Sequence, residues 1–232
     1  MSSVLENHKA LSQLTSKMGK LLRDRFGKGP ESIYVSANEV CVSMHFRQFV
    51  SVVEKIMLQQ NKDEAVRDMR QLVMDLLVPE FKHLISDTLG LQLQHIYYDW
   101  NLDNHSGIMI GLVDSSLFDR YQESYRGKNY IHRQVEKISA EAEKMPDGMH
   151  SFWTNARTLV IVRSGILIKL EKELLRAGYE PALRVAKRAL EKSLLLTEVD
   201  MTQAMDRTPD GLYLDWKFDQ DQSIIVYTFP TE

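Results

Sequence analysis

Four residues offer metal-binding chemistry within a short span: His95, Asp99, Asp103 and His105 carry the nitrogen and oxygen donors that transition metals accept. In an extended strand His95 and Asp99 share a face, and His105 returns across a turn, so a ligand cluster is geometrically open. The same residues also suit a hairpin turn, where Asp and Asn side chains bond the local backbone. A second candidate is Lys28 in Gly27-Lys28-Gly29-Pro30. A phosphate loop needs Gly-x-x-x-x-Gly-Lys-Ser/Thr between a strand and a helix. Here the segment follows a helical pattern and precedes a strand, so it reads as a helix stop, at the end where the dipole disfavours anions. The aromatics Tyr97, Tyr98, Trp100, Trp153, Tyr213 and Trp216 could line a ligand groove or pack a sheet. Cys41 is the single cysteine, excludes an intramolecular disulfide and lacks a nucleophile motif. The seven histidines are scattered without His-x-x-x-His spacing. The expectation is therefore no catalytic set, no cofactor and no metal.

Net charge is −3, with 44% apolar and 26% charged residues, which is the balance of a globular chain and does not favour a nucleic-acid partner. The basic run Lys17, Lys20, Arg23, Arg25 and Lys28 reads as a solvated helix face. No apolar run approaches the ~20 residues of a membrane span, and Met1 to Lys9 is polar, so the chain is expected to be cytoplasmic and not membrane-inserted.

The elements that must position these residues are written twice. Tyr98-Asp99-Trp100-Asn101-Leu102-Asp103-Asn104 has a second version in Leu214-Asp215-Trp216-Lys217-Phe218-Asp219-Gln220, and each leads from an aromatic strand through a turn into an alternating strand. Ala65-Val66-Arg67 resembles Ala182-Leu183-Arg184 at an offset of 117, the Asp-Trp pairs differ by 116, and Ser32 aligns with Ser151 at 119. So nearly constant an offset marks a duplicated architecture. Gly211 stands opposite His95 and Asp221 opposite His105, so the donor cluster does not recur.

Leu11, Leu14, Met18, Leu21, Leu22 and Phe26 trace one helical face, stopped by the Gly-Lys-Gly-Pro segment. Ser32 to Ser36 and Glu39 to His45 form a hairpin about Ala37-Asn38. Helices follow over Phe49 to Gln59 and from about Asp63, and Pro79 kinks or restarts the second before Gly90 ends it. Leu91 to Trp100 and Gly107 to Val113 close the unit. After a polar stretch the order repeats: a helix through Ile131, Val135 and Ile138, strands about Trp153 and Val160, helices over Ile166 to Leu175 and Pro181 to Leu196, and a last hairpin. The predicted fold is α+β, with two repeated units of helix–hairpin–helices–hairpin, each a four-stranded, mainly antiparallel sheet with helices on one face. Residues 1–116 form the first, 117–128 a linker and 129–232 a divergent second. Each sheet keeps a second face, and the halves are expected to cover it by pseudo-twofold packing.

The Gly-Lys-Gly-Pro-Glu-Ser run after an amphipathic helix, followed by a hairpin, a long helix holding Pro79-Glu80 and a final hairpin, resembles the bacterial MpsC-like family over about Leu11 to Asp114. The family has long been catalogued as a domain of unknown function. It is named for a sodium-translocating, membrane-potential-generating system, and its gene neighbourhood is linked to dissolved inorganic carbon uptake. The second half is similar only through the repeat, with Pro146-Asp147-Gly148 in place of Gly-Lys-Gly-Pro. The resemblance implies a non-enzymatic accessory or regulatory protein whose partner is another protein, such as a membrane-transport subunit. The rival expectation is a small-molecule sensor using the aromatic hairpins or the crevice between repeats. Lys28, Tyr98, Asp99, Trp100, Asp215 and Trp216 are the candidate interaction or ligand surface.

Overall fold

A computed structural model describes residues 2–114 and 123–230, so residues 117–122 of the expected linker lie outside the described residues. The chain divides into two compact units, Met1–Leu117 and Phe118–Glu232. Unit 1 runs α1 (Ser2–Phe26), β1 (Ser32–Ala37), β2 (Cys41–Arg47), α2 (Val52–Gln59), α3 (Asp63–Leu89), β3 (His95–Asn101) and β4 (Ser106–Leu112). Unit 2 repeats the plan as α4 (Lys128–Ala142), β5 (Gly148–Asn155), β6 (Thr158–Ser164), α5 (Lys169–Arg176), α6 (Glu180–Glu198), α7 (Met201–Met205), β7 (Gly211–Lys217) and β8 (Gln222–Thr228). The strand orders are β1-β2-β4-β3 and β5-β6-β8-β7, and every pairing is antiparallel.

Alternation decides which strand residues meet the helices. In unit 1, Val42, Met44 and Phe46 of β2 with Ile96, Tyr98 and Trp100 of β3 pack against Leu14, Met18 and Leu22 of α1 and Met74, Leu77 and Phe81 of α3. Unit 2 sets Leu159 and Ile161 of β6, Trp216 of β7 and Ile225 of β8 against Ile131 and Val135 of α4 and Leu183 and Leu195 of α6.

Three local expectations are corrected. Pro79 does not restart a helix, because α3 continues through it from Asp63 to Leu89. Pro79 sits on the exposed side, where the carbonyl it leaves unbonded can turn to water. The break occurs in unit 2 instead. There Asp200 caps α7 by accepting from the Gln203 amide at 2.9 Å, so α6 and α7 together occupy the stretch equivalent to α3. Finally, Ser32 pairs with Arg47 and Gly148 with Ser164, which makes Gly148 the counterpart of Ser32 and places Ser151 opposite Val35.

One glycine is dictated by packing. A Cβ on Gly107 would lie 2.2 Å from Cε3 of Trp100, its cross-strand partner, so the indole lies flat across the backbone of β4. The equivalent of Gly107 in unit 2 is Ser223, beside Trp216. Gly107→Ala is expected to cost about 1–3 kcal/mol through overpacking. Urea unfolding followed by tryptophan fluorescence measures it, and an unchanged midpoint would mean that the indole does not lie there.

Candidate functional site

The ionic chemistry of each unit starts at the cap of its short helix. Ser51 caps α2: its Oγ accepts from the Glu54 amide at 3.3 Å, and Glu54 Oε2 accepts from the Ser51 amide at 2.6 Å. The other carboxylate oxygen, Oε1, accepts from Arg70 Nε of α3 at 2.7 Å, and Arg70 Nη2 donates to the Phe49 carbonyl at 2.5 Å. The guanidinium lies 4.4 Å from the centroid of Trp100, 4.9 Å from Phe49 and 5.4 Å from Phe26. Arg70 is 1% exposed and Glu54 2%. Burial alone would raise the Glu54 carboxyl, but the Arg70 hydrogen bond and charge, with the Ser51 bonds, outweigh it and hold it below its ordinary value.

Unit 2 repeats this junction with different residues. Glu171 Oε2 accepts from the Ile168 amide at 3.0 Å, and Oε1 accepts from Lys187 Nζ at 2.9 Å. Glu171 and Lys187 stand 117 positions after Glu54 and Arg70. Of the aromatic cage only Trp216, the counterpart of Trp100, remains. Glu143 replaces Phe26 and bonds Lys187, while Glu191 lies 3.7 Å from Lys187 and accepts from Trp216 Nε1 at 3.1 Å. Glu191 also pairs with Arg163, whose Nε and Nη1 donate to Ser223 Oγ at 3.0 Å and Ser139 Oγ at 2.9 Å. Where unit 1 places Leu22, Phe46, Met74 and Gly107, unit 2 thus places Ser139, Arg163, Glu191 and Ser223.

Three carboxylates face two cations in this cluster, all of them buried or nearly so. Burial first, and the Glu191 charge next, push the Glu143 carboxyl up to about 7, against the opposing pull of Lys187. The cluster therefore holds an exchangeable proton near neutral pH.

The repeated sequence fragments meet one another. Arg67 Nη1 donates to Asp99 Oδ1 at 3.2 Å, and Arg184 Nη1 donates to Asp215 Oδ1 at 2.5 Å. Of the other candidate surface residues, Trp100 and Trp216 lie in the cores of their units, and Tyr98 accepts a 2.6 Å bond from Gln71 Nε2. Lys28 donates to the Val50 carbonyl at 3.2 Å, tying the loop after α1 to the one before α2. His95, Asp99, Asp103 and His105 are not gathered into a ligand set, and among the described residues no three or more His, Cys, Asp or Glu side chains are placed so as to hold a metal ion. His105 instead adopts the left-handed conformation at φ 56°, as its counterpart Asp221 does at φ 50°.

One constellation carries no signature in the sequence. Ser151 Oγ lies 2.6 Å from His132 Nε2 and 2.7 Å from the Tyr125 hydroxyl. Burial, then Lys128 and His150, lower the His132 pKa. A Ser–His contact of this length is the geometry of an activated nucleophile, yet Ser151 is 2% exposed beneath α4, where a substrate cannot reach it. The trio ties α4 to the edge strand.

The architecture and its buried cap-to-helix ion pairs define a duplicated α+β module. Residues 6–115, the greater part of the first unit, match the family model described as "Na+-translocating membrane potential-generating system (MpsC)". No curated protein and no solved structure matches the chain.

The Glu143 shift has a definite sign. Its folded-state pKa lies above the unfolded value of about 4.5, so between those two values the folded form binds more protons and this group's contribution to stability falls as pH rises. Urea unfolding of the full chain from pH 5 to 8 is expected to show Glu143→Gln gaining stability relative to the parent protein as pH climbs to about 7, then holding a constant difference. A difference independent of pH would show that Glu143 stays ionised throughout.

Proposed function

We propose that this chain is a non-enzymatic cytoplasmic accessory or regulatory protein that works through protein contacts with a membrane ion or bicarbonate uptake system. The family match over residues 6–115 carries this reading, because its description names a membrane-potential-generating system. It is supported by the absence, among the described residues, of any helix long and apolar enough to cross a membrane, which leaves the spanning role to another subunit.

A second reading, a small-molecule sensor, is favoured by one observation. A cleft of about 360 Å³ at the α6–α7 junction is lined by Leu195, Val199, Asp200, Met201, Pro209 and Tyr227. Tyr227 belongs to the aromatic β7–β8 hairpin, and its buried hydroxyl has no hydrogen-bond partner.

Affinity purification of the tagged full chain from detergent-solubilised native cells tests the first reading. A membrane-transport subunit enriched over a tag-only control is expected. An eluate without membrane proteins, together with a saturable thermal shift from a metabolite that Tyr227→Phe weakens, would replace that reading with the sensor.

A further inference from the structure

The outer side of the α2–α3 hairpin of unit 1 is apolar. Val52, Val53 and Ile56 of α2 and Met69, Leu72 and Leu76 of α3 are exposed, with Val52, Leu72 and Leu76 more than two-thirds open at 74%, 69% and 68%. On α3 the three run at i, i+3 and i+7, while Val66, Arg70, Met74 and Leu77 turn inward. On α2 the three turn away from buried Glu54. The Glu54–Arg70 ion pair sets the level, because Val53 and Met69 are the chain neighbours of its two partners. Leu72 and Leu76 extend the stripe along α3.

Unit 2 shows that the fold does not require this face. At the constant offset of 117, Lys169 stands for Val52, Glu173 for Ile56, Ala186 for Met69, Ala189 for Leu72 and Ser193 for Leu76, all exposed, while Leu170 keeps the Val53 position apolar. The same helix pair therefore forms with charged and small residues in five of those six places. The exposed leucines that α6 does carry, Leu190 and Leu196, have Lys192 between them in sequence.

We propose that the Val52–Leu76 face of unit 1 is where two copies of this chain associate as a closed dimer. The six side chains leave open roughly 600 Å², close to the about 800 Å² per partner of a standard interface and at the top of what a monomer usually exposes in one apolar patch. An apolar stripe is complementary to itself about a twofold axis, and such isologous contacts close. One face per chain gives a dimer, whereas a second equivalent on unit 2 would let the contact propagate. The exposed acids beside the stripe, Asp63, Glu64, Asp68 and Asp75, outnumber the exposed cations Lys55 and Lys62 and argue against an anionic membrane as the occupant. Repulsion between them across the dimer is screened by salt, so association tightens as ionic strength rises.

Size-exclusion chromatography with light scattering on the full chain, over a concentration series reaching the micromolar range, tests this. The expected result is twice the chain mass, with dissociation on dilution. Leu72→Ala with Leu76→Ser, which installs the residues unit 2 uses in the same fold, is expected to raise the dimer dissociation constant about tenfold or more while leaving the circular dichroism spectrum unchanged. Leu72→Glu is expected to abolish the dimer. A monomer at every concentration would assign the face to a different partner and overturn the proposal, as would a dimer that both variants leave intact.

Discussion

A buried carboxylate that closes a helix cap with one oxygen and neutralises a cation with the other is the constraint on which each unit depends. Glu54 and Glu171 do this in the same way, fixing the start of the short helix to the middle of the long one. Taking such charges out of water costs several kcal/mol per ion, which only close partners and full hydrogen bonding offset. The junction therefore tolerates few geometries. It sets where α2 leaves the sheet, how α3 lies over it, and in unit 1 why Trp100 must lie flat against Gly107 to cover the guanidinium.

The two units solve the second half of this problem differently. Unit 1 surrounds Arg70 with Phe26, Phe49 and Trp100, whose ring faces attract the cation without adding charge. Unit 2 keeps the indole as Trp216 but puts Glu143 in place of Phe26, Ile166 in place of Phe49 and Glu191 in place of Met74, and then adds Arg163 to balance Glu191. The sums differ: the first interior is neutral as one pair, while the second carries a surplus carboxylate and relieves it by holding a proton on Glu143. One backbone plan thus supports an interior with one balanced ion pair and an interior in which burial and neighbouring carboxylates push one carboxyl up.

Much of the fold was legible because hydrophobic spacing and the 117-residue offset agreed element by element. The element order and the two four-stranded antiparallel sheets followed from that; the strand order, in which the two hairpins meet through β2 and β4, did not. The misses have physical causes. Pro79 looked like a break because its lost hydrogen bond weighs heavily in isolation, but on an exposed face water supplies it. The α6–α7 break rests on a capping aspartate, Asp200, that resembles any other surface acid. Ser32 and Ser151 matched by identity although register pairs Ser32 with Gly148. The Arg-Asp fragments were visible as repeats, yet nothing in their spacing said that Arg67 reaches Asp99. The charged cluster was hidden because, apart from Lys187 and Glu191, its ion-pair partners lie 16 to 44 residues apart. One signal existed: Leu183, Lys187, Glu191 and Leu195 follow a single inward stripe, and two of the four are charged.

Glu54 and Arg70 act as one unit rather than as two independent stabilising residues. A double-mutant cycle in the full chain, with Glu54→Gln and Arg70→Met singly and together, measures that coupling by urea unfolding. Each single change is predicted to cost about 3–5 kcal/mol, because it strands a buried charge, and the pair together no more than either alone. Costs that add to within about 0.5 kcal/mol would contradict the account.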